Sequence, residues 1–313
     1  MSTRSPELPA LSWSTDDMPD LAGRTAIVTG AASGLGLAIT RSLIAQGAQV
    51  VMAVRNTAKA EHIRAELAQG PGEAVVMELD LLDLTSVHRF TAAVHDRFAA
   101  VDLLIGNAGI SSQSLTLSAE GVESQFATNH LGHFALTGLL LDLLGRSHDP
   151  RIVVVSSALY TSAALDLDRL DGTGTYSPGR AYNRSKLANV LFGRELHRRL
   201  QASGSTVTSF VAHPGMAKTP LHTTYPSPAL RLVTKTAAAL IGRPAEHAVV
   251  PILYAATSPD ASPDSFYGPT GPKLHPRVQP AAFTGPGRDL DAARALWAKS
   301  QQLTGVHYLD FDG

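Results

Sequence analysis

A tyrosine and a lysine within residues 181–186 are the side chains whose types and spacing best suit chemistry. Tyr182 and Lys186 are four residues apart, so on a helix they share one face. A free phenol has a pKa of about 10 and is a poor acid–base group at neutral pH. An ammonium close by favours the phenolate and lowers that pKa, which predicts a general acid–base pair. The alternative is a Tyr and a Lys that share a helix without acting together.

A glycine-rich turn with the spacing G-x-x-x-G-x-G lies between the first predicted strand, 25–29, and the first predicted helix, 34–46. Glycines permit a tight turn and let backbone N–H groups approach a pyrophosphate at a helix N-terminus. The triplet is weak alone, but its position between strand and helix is typical of a dinucleotide site. The turn predicts cofactor binding by Gly30, Ser33, Gly34, Leu35 and Gly36.

Arg55 and Asn56 follow the second predicted strand, 48–54, and Arg55 lies 19 residues beyond Gly36. An Asp or Glu here would bond the ribose hydroxyls of NAD. A guanidinium instead suits a 2′-phosphate and stacks on adenine, which favours NADP(H) over NAD(H). The alternative is a solvated Arg in a loop.

Short apolar segments alternate with helical patterns along most of the chain. Further strands are predicted at 48–54, 74–79, 101–105, 151–156 and 206–212, with helices at 57–69, 84–99, 120–144 and 181–200. This order predicts βαβ units, and hence an α/β fold with one buried, doubly wound parallel sheet and helices on both faces. Residues 217–243 are rich in Pro and apolar side chains, and we expect a flap over a substrate pocket there, or else an irregular helix pair.

The totals exclude several classes of protein. A formal net charge of −1 and a pI near 6.9 offer no electrostatic basis for binding nucleic acid or an anionic membrane. Zero Cys excludes disulfides and thiolate metal sites and fits a reducing cytoplasm. Residues 1–20 are polar and lack the apolar core of a signal peptide, which predicts a tail or strap. The apolar stretch 135–144 is too short to span a bilayer, so no membrane partner is expected.

Taken with further motifs, these residues resemble the short-chain dehydrogenase/reductase superfamily, and within it the retinol-dehydrogenase-like subgroup with its bacterial relatives. The additional motifs are N-A-G at 107–109, N-H-L-G-H-F at 129–134, R-I-V-V-V-S-S at 151–157, Y-x-x-x-K-L-A-N at 182–189 and H-P-G at 213–215. The resemblance implies one Rossmann domain over 21–303 and a C-terminal tail at 304–313. The polar residues 1–20 differ from the apolar anchor of membrane-bound members, which weakens any inference to retinoids.

The resemblance also implies roles for individual residues. Asn129, Ser157, Tyr182 and Lys186 would form the catalytic set, and Tyr182 and Lys186 would also contact the cofactor. Further cofactor contacts would come from Asp80, Leu81, Asn107, Ala108, Gly109, Pro214, Gly215, Met216 and Thr219. Asp80 has a helix cap as its alternative, and Asn129 a helix interruption without catalysis. Only the family register selects Ser157 over Ser156.

The expected reaction is hydride transfer between the nicotinamide and a carbonyl or alcohol carbon. Ser157 would bind the substrate oxygen, Tyr182 would exchange the proton, and a water on Asn129 would relay protons. Ile110, Leu159, Tyr160 and Met216 are expected to line a pocket for an apolar or aromatic small molecule. With NADPH, reduction would be the favoured direction.

Three further expectations complete the interpretation. His130 and His133 are one helical turn apart, but no third ligand is indicated, so packing or exposure rather than a metal site is expected. Long outer helices permit a homo-oligomer. One rival function is a catalytically silent dinucleotide sensor or scaffold on the same fold. The other is a sugar-nucleotide epimerase or dehydratase, which would show the glycine spacing G-x-x-G-x-x-G and a larger C-terminal substrate domain.

Overall fold

The computed structural model describes residues 9–215 and 242–310. Within them, one sheet has the strand order β3-β2-β1-β4-β5-β6-β7-β8. The strands are β1 Thr25–Thr29, β2 Gln49–Val54, β3 Glu73–Glu78, β4 Leu103–Gly106, β5 Arg151–Val155, β6 Thr208–Ala212, β7 Phe266–Thr270 and β8 Arg277–Ala281. Every neighbouring pair is parallel except β7 with β8, which is antiparallel. The order reverses between β1 and β4, which makes the carboxyl ends of those strands a switch point where such sheets bind ligands.

Helices connect the strands and cover both faces of the sheet. They are α1 Gly34–Ala45, α2 Thr57–Leu67, α3 Leu84–Arg97, α4 Ser124–Phe126, α5 Gly132–Leu144, α6 Pro178–Ala202, α7 Ala245–Ala248, α8 Val250–Thr257 and α9 Leu290–Thr304. Short 3-10 turns lie at Thr15–Asp17, Ala158–Ser162 and Gly285–Arg288.

The strand β1 shows how the sheet supports two cores. Ala26 and Val28 point to a cluster that includes α1 and α8, while Ile27 points to a cluster that includes α3, α5 and α6. All three side chains are fully buried. Because both faces are covered, the strands are continuous apolar runs without the polar alternation of a half-exposed sheet.

The prediction of a single α-helix over 120–144 is wrong. The chain forms the short α4, then a π-helix at Ala127–Leu131, and only then α5. Because periodicity of apolar residues does not distinguish one extra residue in a turn, the sequence pattern did not reveal it.

The two last strands were also absent from the prediction. The segment F-Y-G-P-T of β7 and the segment R-V-Q-P-A of β8 contain proline and glycine, which weaken any strand signal. They become strands because β7 pairs with β6 and β8 closes the edge, where a proline is tolerated.

Both ends of the described chain contact the body. Leu11 forms an antiparallel bridge with Val278, and the Trp13 ring packs edge-on against Tyr254 at 5.4 Å. At the other end, Tyr308 packs against Trp297 with 4.8 Å between ring centroids, and its hydroxyl donates to the Phe134 carbonyl at 3.1 Å.

The outer helices are partly covered within the chain itself. Trp297 of α9 joins Phe192 and Leu196 of α6 in one buried cluster, so this part of α6 offers no free apolar surface for a second subunit. The homo-oligomer remains a prediction. No helix in residues 9–215 or 242–310 is both long enough and apolar enough to cross a membrane.

Candidate active site

The glycine turn lies at the carboxyl end of β1, where it leads directly into α1. Gly30 has a φ of +69° and its N–H donates to Ala53 O at the end of β2. A Cβ on Gly36 would lie 2.2 Å from Gly30 O, so only glycine fits there. Ser33 caps α1 by position, but its side chain makes no capping hydrogen bond. The first N–H groups of α1 are therefore not satisfied by that side chain and suit an anionic ligand.

The loop after β4 is tied to the same turn by hydrogen bonds. Asn107 Nδ2 donates to Thr29 O at 2.9 Å, and the Ala108 N–H donates to Thr29 Oγ1 at 2.8 Å. In the described part of the chain, Asn107 Oδ1 is buried without a hydrogen-bond partner. A buried acceptor left open costs free energy, so this atom fits a donor from a bound ligand.

Arg55 and Asn56 follow β2 and are both exposed. The bond between Gly30 N and Ala53 O keeps the end of β2 beside the glycine turn, two residues before Arg55. The carboxamide of Asn56 accepts from Lys59 N at 2.9 Å and caps α2. Asn56 thus caps a helix, and Arg55 is the cation of this loop; among residues 9–215 and 242–310, no salt bridge holds its guanidinium.

Asp80 does not cap the following helix. The N-cap of α3 is Asp83, whose side chain accepts from Thr85 N at 2.9 Å. Asp80 Oδ1 accepts from Leu82 N at 3.0 Å and its N–H donates to Ser86 Oγ, which fixes the loop. Leu81 is buried, and its carbonyl would lie 2.3 Å from a Cβ on Gly132, so this loop packs closely on the start of α5.

Asn129 lies in the middle of the π-helix and is fully buried. Its Oδ1 accepts from Ile110 N at 2.7 Å, and its Nδ2 donates to Ile110 O at 3.0 Å and to Ser185 Oγ at 2.9 Å. The predicted interruption of the helix is therefore present. Both amide hydrogens are used, and the proton-relay water stays a prediction.

Ser157, Tyr182 and Lys186 meet at the carboxyl end of β5. Lys186 Nζ donates to Val155 O at 3.1 Å and lies 5.8 Å from the centroid of the Tyr182 ring. The Ser157 side chain lies close enough to the Tyr182 hydroxyl to lower the pKa of that phenol, and its Oγ accepts from Leu159 N at 3.3 Å. Ser156 instead donates to Lys186 O at 2.7 Å and is buried, which distinguishes two serines that sequence chemistry left equivalent.

The pKa values of the pair differ from the expectation. Burial raises the pKa of Tyr182 to about 12, and the Ser157 side chain only partly opposes this. Burial also lowers the pKa of Lys186 to about 8. The predicted lowering of the Tyr182 pKa by Lys186 is therefore wrong for the described residues.

The expected substrate residues do not form one set. Leu159 is 52% exposed and Ile110 is half-buried, so both have surface available. Tyr160 is only 2% exposed, packs edge-on against Phe266 at 5.2 Å and accepts from Thr284 N at 3.0 Å. No face of Tyr160 is left for a substrate, which corrects the prediction: its aromatic ring is a core residue.

The loop after β6 is described only as far as Gly215. Pro214 is half-buried, and Gly215 has a φ of +66° and donates to His213 Nδ1 at 3.1 Å. Met216, Thr219 and residues 217–241 of the expected flap lie outside the described residues.

The two histidines of the N-H-L-G-H-F motif are packed in the core. His130 is fully buried and bonds Ser300 Oγ at 2.8 Å, and His133 bonds Thr29 Oγ1 at 2.9 Å. Within the described ranges, no cluster of three His, Cys, Asp or Glu side chains is placed to hold a metal ion.

Two residues of the site were missed at the sequence level. Ser185 accepts from Asn129 and donates to Tyr182 O at 2.7 Å, which links the two predicted catalytic residues. Thr29 holds Asn107, Ala108 and His133. Ser185 lies between Tyr182 and Lys186, and Thr29 directly precedes the glycine turn. Spacing along the sequence does not show which group the hydroxyl of either residue hydrogen-bonds.

These features lie together at the carboxyl ends of the central strands. The glycine turn offers N–H groups and space to a dinucleotide, Asn107 offers an open acceptor, and Tyr182 offers a proton donor with the Ser157 side chain next to it. Fold and site together define an α/β dinucleotide-binding protein with an acid–base group beside the cofactor turn.

Comparisons with known proteins agree with this class. The model of the family described as short chain dehydrogenase matches residues 24–228, so the chain belongs to the short-chain dehydrogenase family. It is an NAD(P)-dependent oxidoreductase that acts on CH–OH groups.

Individual relatives are similar over nearly the whole chain. Retinol dehydrogenase 14 of Mus musculus is 40% identical over 300 residues, covering 91% of this chain and 86% of the relative. Polyprenol dehydrogenase of Mus musculus is 35% identical over 304 residues, covering 95% and 88%. The crystal structure of an uncharacterised protein from Mycobacterium paratuberculosis has a TM-score of 0.75 and 41% identity, covering 94% of this chain and 98% of that one.

Proposed function

We propose that this protein is an NADP(H)-dependent oxidoreductase that interconverts a carbonyl and an alcohol on an apolar or aromatic small molecule. The observation that carries the proposal is the Ser157 side chain next to the Tyr182 hydroxyl, with the buried Lys186 beside the Tyr182 ring. A substrate oxygen placed between the two hydroxyls would meet one hydroxyl to bind it and one to exchange its proton.

In this proposal the dinucleotide, when bound, supplies or accepts the hydride. Ser157 orients the substrate oxygen and stabilises the negative charge that develops on it. Tyr182 holds a proton at its hydroxyl near neutral pH, because burial raises its pKa to about 12, and donates that proton during reduction. Lys186, held by Val155 O, keeps positive charge close to the ring and draws Tyr182 towards ionisation as the proton leaves. Asn129 fixes Ile110 and, through Ser185, the backbone of Tyr182.

The preference for NADP(H) rests on Arg55. It is exposed after β2, and the end of β2 is bonded to the glycine turn. A guanidinium in this place binds a 2′-phosphate with two charge-assisted hydrogen bonds. Binding of NADPH in a reducing cytoplasm favours carbonyl reduction, and the Cys-free composition fits that compartment.

The substrate class rests on the pocket residues with free surface. Leu159 and Ile110 are apolar, and no Arg or Lys stands among the expected pocket residues to clamp a carboxylate. The relatives named for retinol and polyprenol act on apolar alcohols by those names, which supports an apolar substrate here.

A thermal-shift experiment tests the cofactor without a known substrate. The protein is melted alone and with NADP, NADPH, NAD and NADH in separate wells, because a ligand that binds only the native state raises the melting temperature. We expect a shift with the phosphorylated pair. Equal shifts with NAD and NADH would contradict the preference, and no shift with any of the four would contradict cofactor binding. A panel of apolar and aromatic carbonyls with NADPH then tests the reaction, with a small carboxylate ketone as the negative control.

A further inference from the structure

The buried imidazole of His133 has no part in the proposed chemistry, yet it lies between two elements that do. Its Nδ1 is 3.1 Å from Asn129 O in the π-helix, and its Nε2 is 2.9 Å from Thr29 Oγ1 at the end of β1. The ring also lies against Gly106 at the end of β4, where a Cβ would come within 3.2 Å of His133 Cδ2. One side chain therefore contacts three segments of the site.

The hydrogen-bond directions follow from the partners. A carbonyl oxygen only accepts, so His133 Nδ1 carries the proton and donates to Asn129 O. The bare Nε2 then accepts the hydroxyl hydrogen of Thr29, whose other potential acceptor, Ile105 O, is farther away at 3.4 Å. This leaves the lone pairs of Thr29 Oγ1 directed to the Ala108 N–H, which donates to it at 2.8 Å.

The consequence is a continuous chain of bonds from the π-helix to the cofactor loop: Asn129 O, His133, Thr29 Oγ1, Ala108 N. Burial lowers the pKa of His133 to about 4, so the imidazole is neutral at physiological pH and keeps this donor–acceptor arrangement.

We propose that His133 is a positioning residue that sets the cofactor loop 107–109 against the helix carrying Asn129. The proposal rests on the proposed function, since it takes the loop to be part of the dinucleotide site. His133 is buried, and in this proposal it acts through its hydrogen bonds to Thr29 and Asn129.

The chain contains a matched control one helical turn away. His130 is equally buried, and burial lowers its pKa to about 3, but it bonds Ser300 in α9 instead of the cofactor loop. Because Ser300 Oγ donates its hydrogen to Leu296 O at 2.7 Å, His130 donates through Nε2. The two imidazoles therefore hold opposite tautomers, and only one of them connects to the site.

The test compares His133→Met with His130→Met by fluorescence titration of NADPH, well below the melting temperature of both. Both variants are expected to have lower melting temperatures than the wild type. His133→Met should weaken NADPH binding about five- to tenfold, the equivalent of one hydrogen bond of about 1–1.5 kcal/mol. The NADPH dissociation constant of His130→Met should stay within about twofold of the wild-type value, because loss of the bond to Ser300 does not change the cofactor loop.

Two further variants extend the test. His133→Gln, nearly the same shape as Met, restores an acceptor for Thr29 and should recover part of the affinity. Thr29→Val removes the hydroxyl at the other end, and should weaken binding at least as much while adding little to His133→Met. If His133→Met does not fold, Thr29→Val and His133→Gln carry the comparison. Equal affinities for His133→Met and His130→Met would overturn the positioning role, whereas a wild type that binds no NADPH would instead contradict the proposed function.

Discussion

The ammonium of Lys186 lies 5.8 Å from the centroid of the Tyr182 ring and donates a hydrogen bond to Val155 O. The positive charge thus lies beside the ring, while the Ser157 side chain lies next to the Tyr182 hydroxyl and lowers its pKa. Burial is the larger effect and raises the pKa of Tyr182 to about 12.

Replacement of Tyr182 by Phe should abolish turnover and leave NADPH affinity within a few-fold. Loss of a positioned proton donor lowers the rate of the chemical step by a factor of roughly 10²–10⁴. Steady-state kinetics and NADPH titration measure the two effects separately. Tyr176→Phe is the matched control, because Tyr176 also has a pKa raised to about 12 by burial but bonds Glu123. Retained turnover in Tyr182→Phe would exclude this residue as the proton donor.

Replacement of Lys186 by Met should reduce turnover and raise stability together. Burial lowers the pKa of Lys186 from 10.5 to about 8, so keeping it charged in the folded state at pH 7 costs roughly 3 kcal/mol of unfolding free energy. Between pH 8 and 10.5 the unfolded chain binds more protons, so wild-type stability rises with pH and the advantage of Met shrinks. Denaturant unfolding at pH 7 and 10 measures this, and a less stable variant at pH 7 would contradict it.

Replacement of Arg55 by Asp should shift the cofactor preference towards NAD. Loss of a charge-assisted contact to the 2′-phosphate corresponds to about 1.5–3 kcal/mol. The ratio of NADPH to NADH dissociation constants measures the shift. Arg64→Asp introduces the same charge change on α2, where Arg64 pairs with Glu61, and should leave the ratio unchanged. Equal ratios in the two variants would show that the 2′-phosphate binds elsewhere.

Acid should destabilise the protein through the buried His130 and His133 and the half-buried His213. Burial lowers the pKa of His133 and His213 to about 4 and that of His130 to about 3, from 6.5. Between those values the unfolded chain binds more protons, so stability falls as the pH drops below 6.5, by up to about 4 kcal/mol per pH unit for three groups. Unfolding at pH 7, 6 and 5 checks this. His213→Gln should reduce the slope by about a third, and an unchanged slope would show that His213 does not contribute.

Replacement of Tyr160 by Phe should cost stability without changing substrate affinity. The variant removes the hydroxyl that accepts from Thr284 N, at about 1 kcal/mol of unfolding free energy. Leu159→Ala should do the reverse, with little effect on stability, because Leu159 is 52% exposed, and a higher KM for an apolar substrate. A raised KM in Tyr160→Phe would show instead that Tyr160 contacts the substrate.

The secondary structure of the first half of the fold was predictable because its elements have simple periods. The strand 25–29 was predicted with its observed bounds, and the helices near 34–45 and 84–97 were predicted to within two residues at their ends. The π-helix and the strands β7 and β8 were not, since an extra residue in a turn and a strand with proline depend on neighbours that a local pattern does not contain.

The sequence by itself determined the α/β class, the glycine turn and the one-face spacing of Tyr182 and Lys186, because 3.6- and two-residue periods and the conformational freedom of glycine are local properties. Only the tertiary structure decided that Tyr160 turns into the core, that Ser185 links Asn129 to Tyr182, and that His133 joins Thr29 to the π-helix. These depend on which buried polar groups meet across more than fifty residues of chain. A buried polar group must form a hydrogen bond, but spacing along the sequence does not show which residue is its partner.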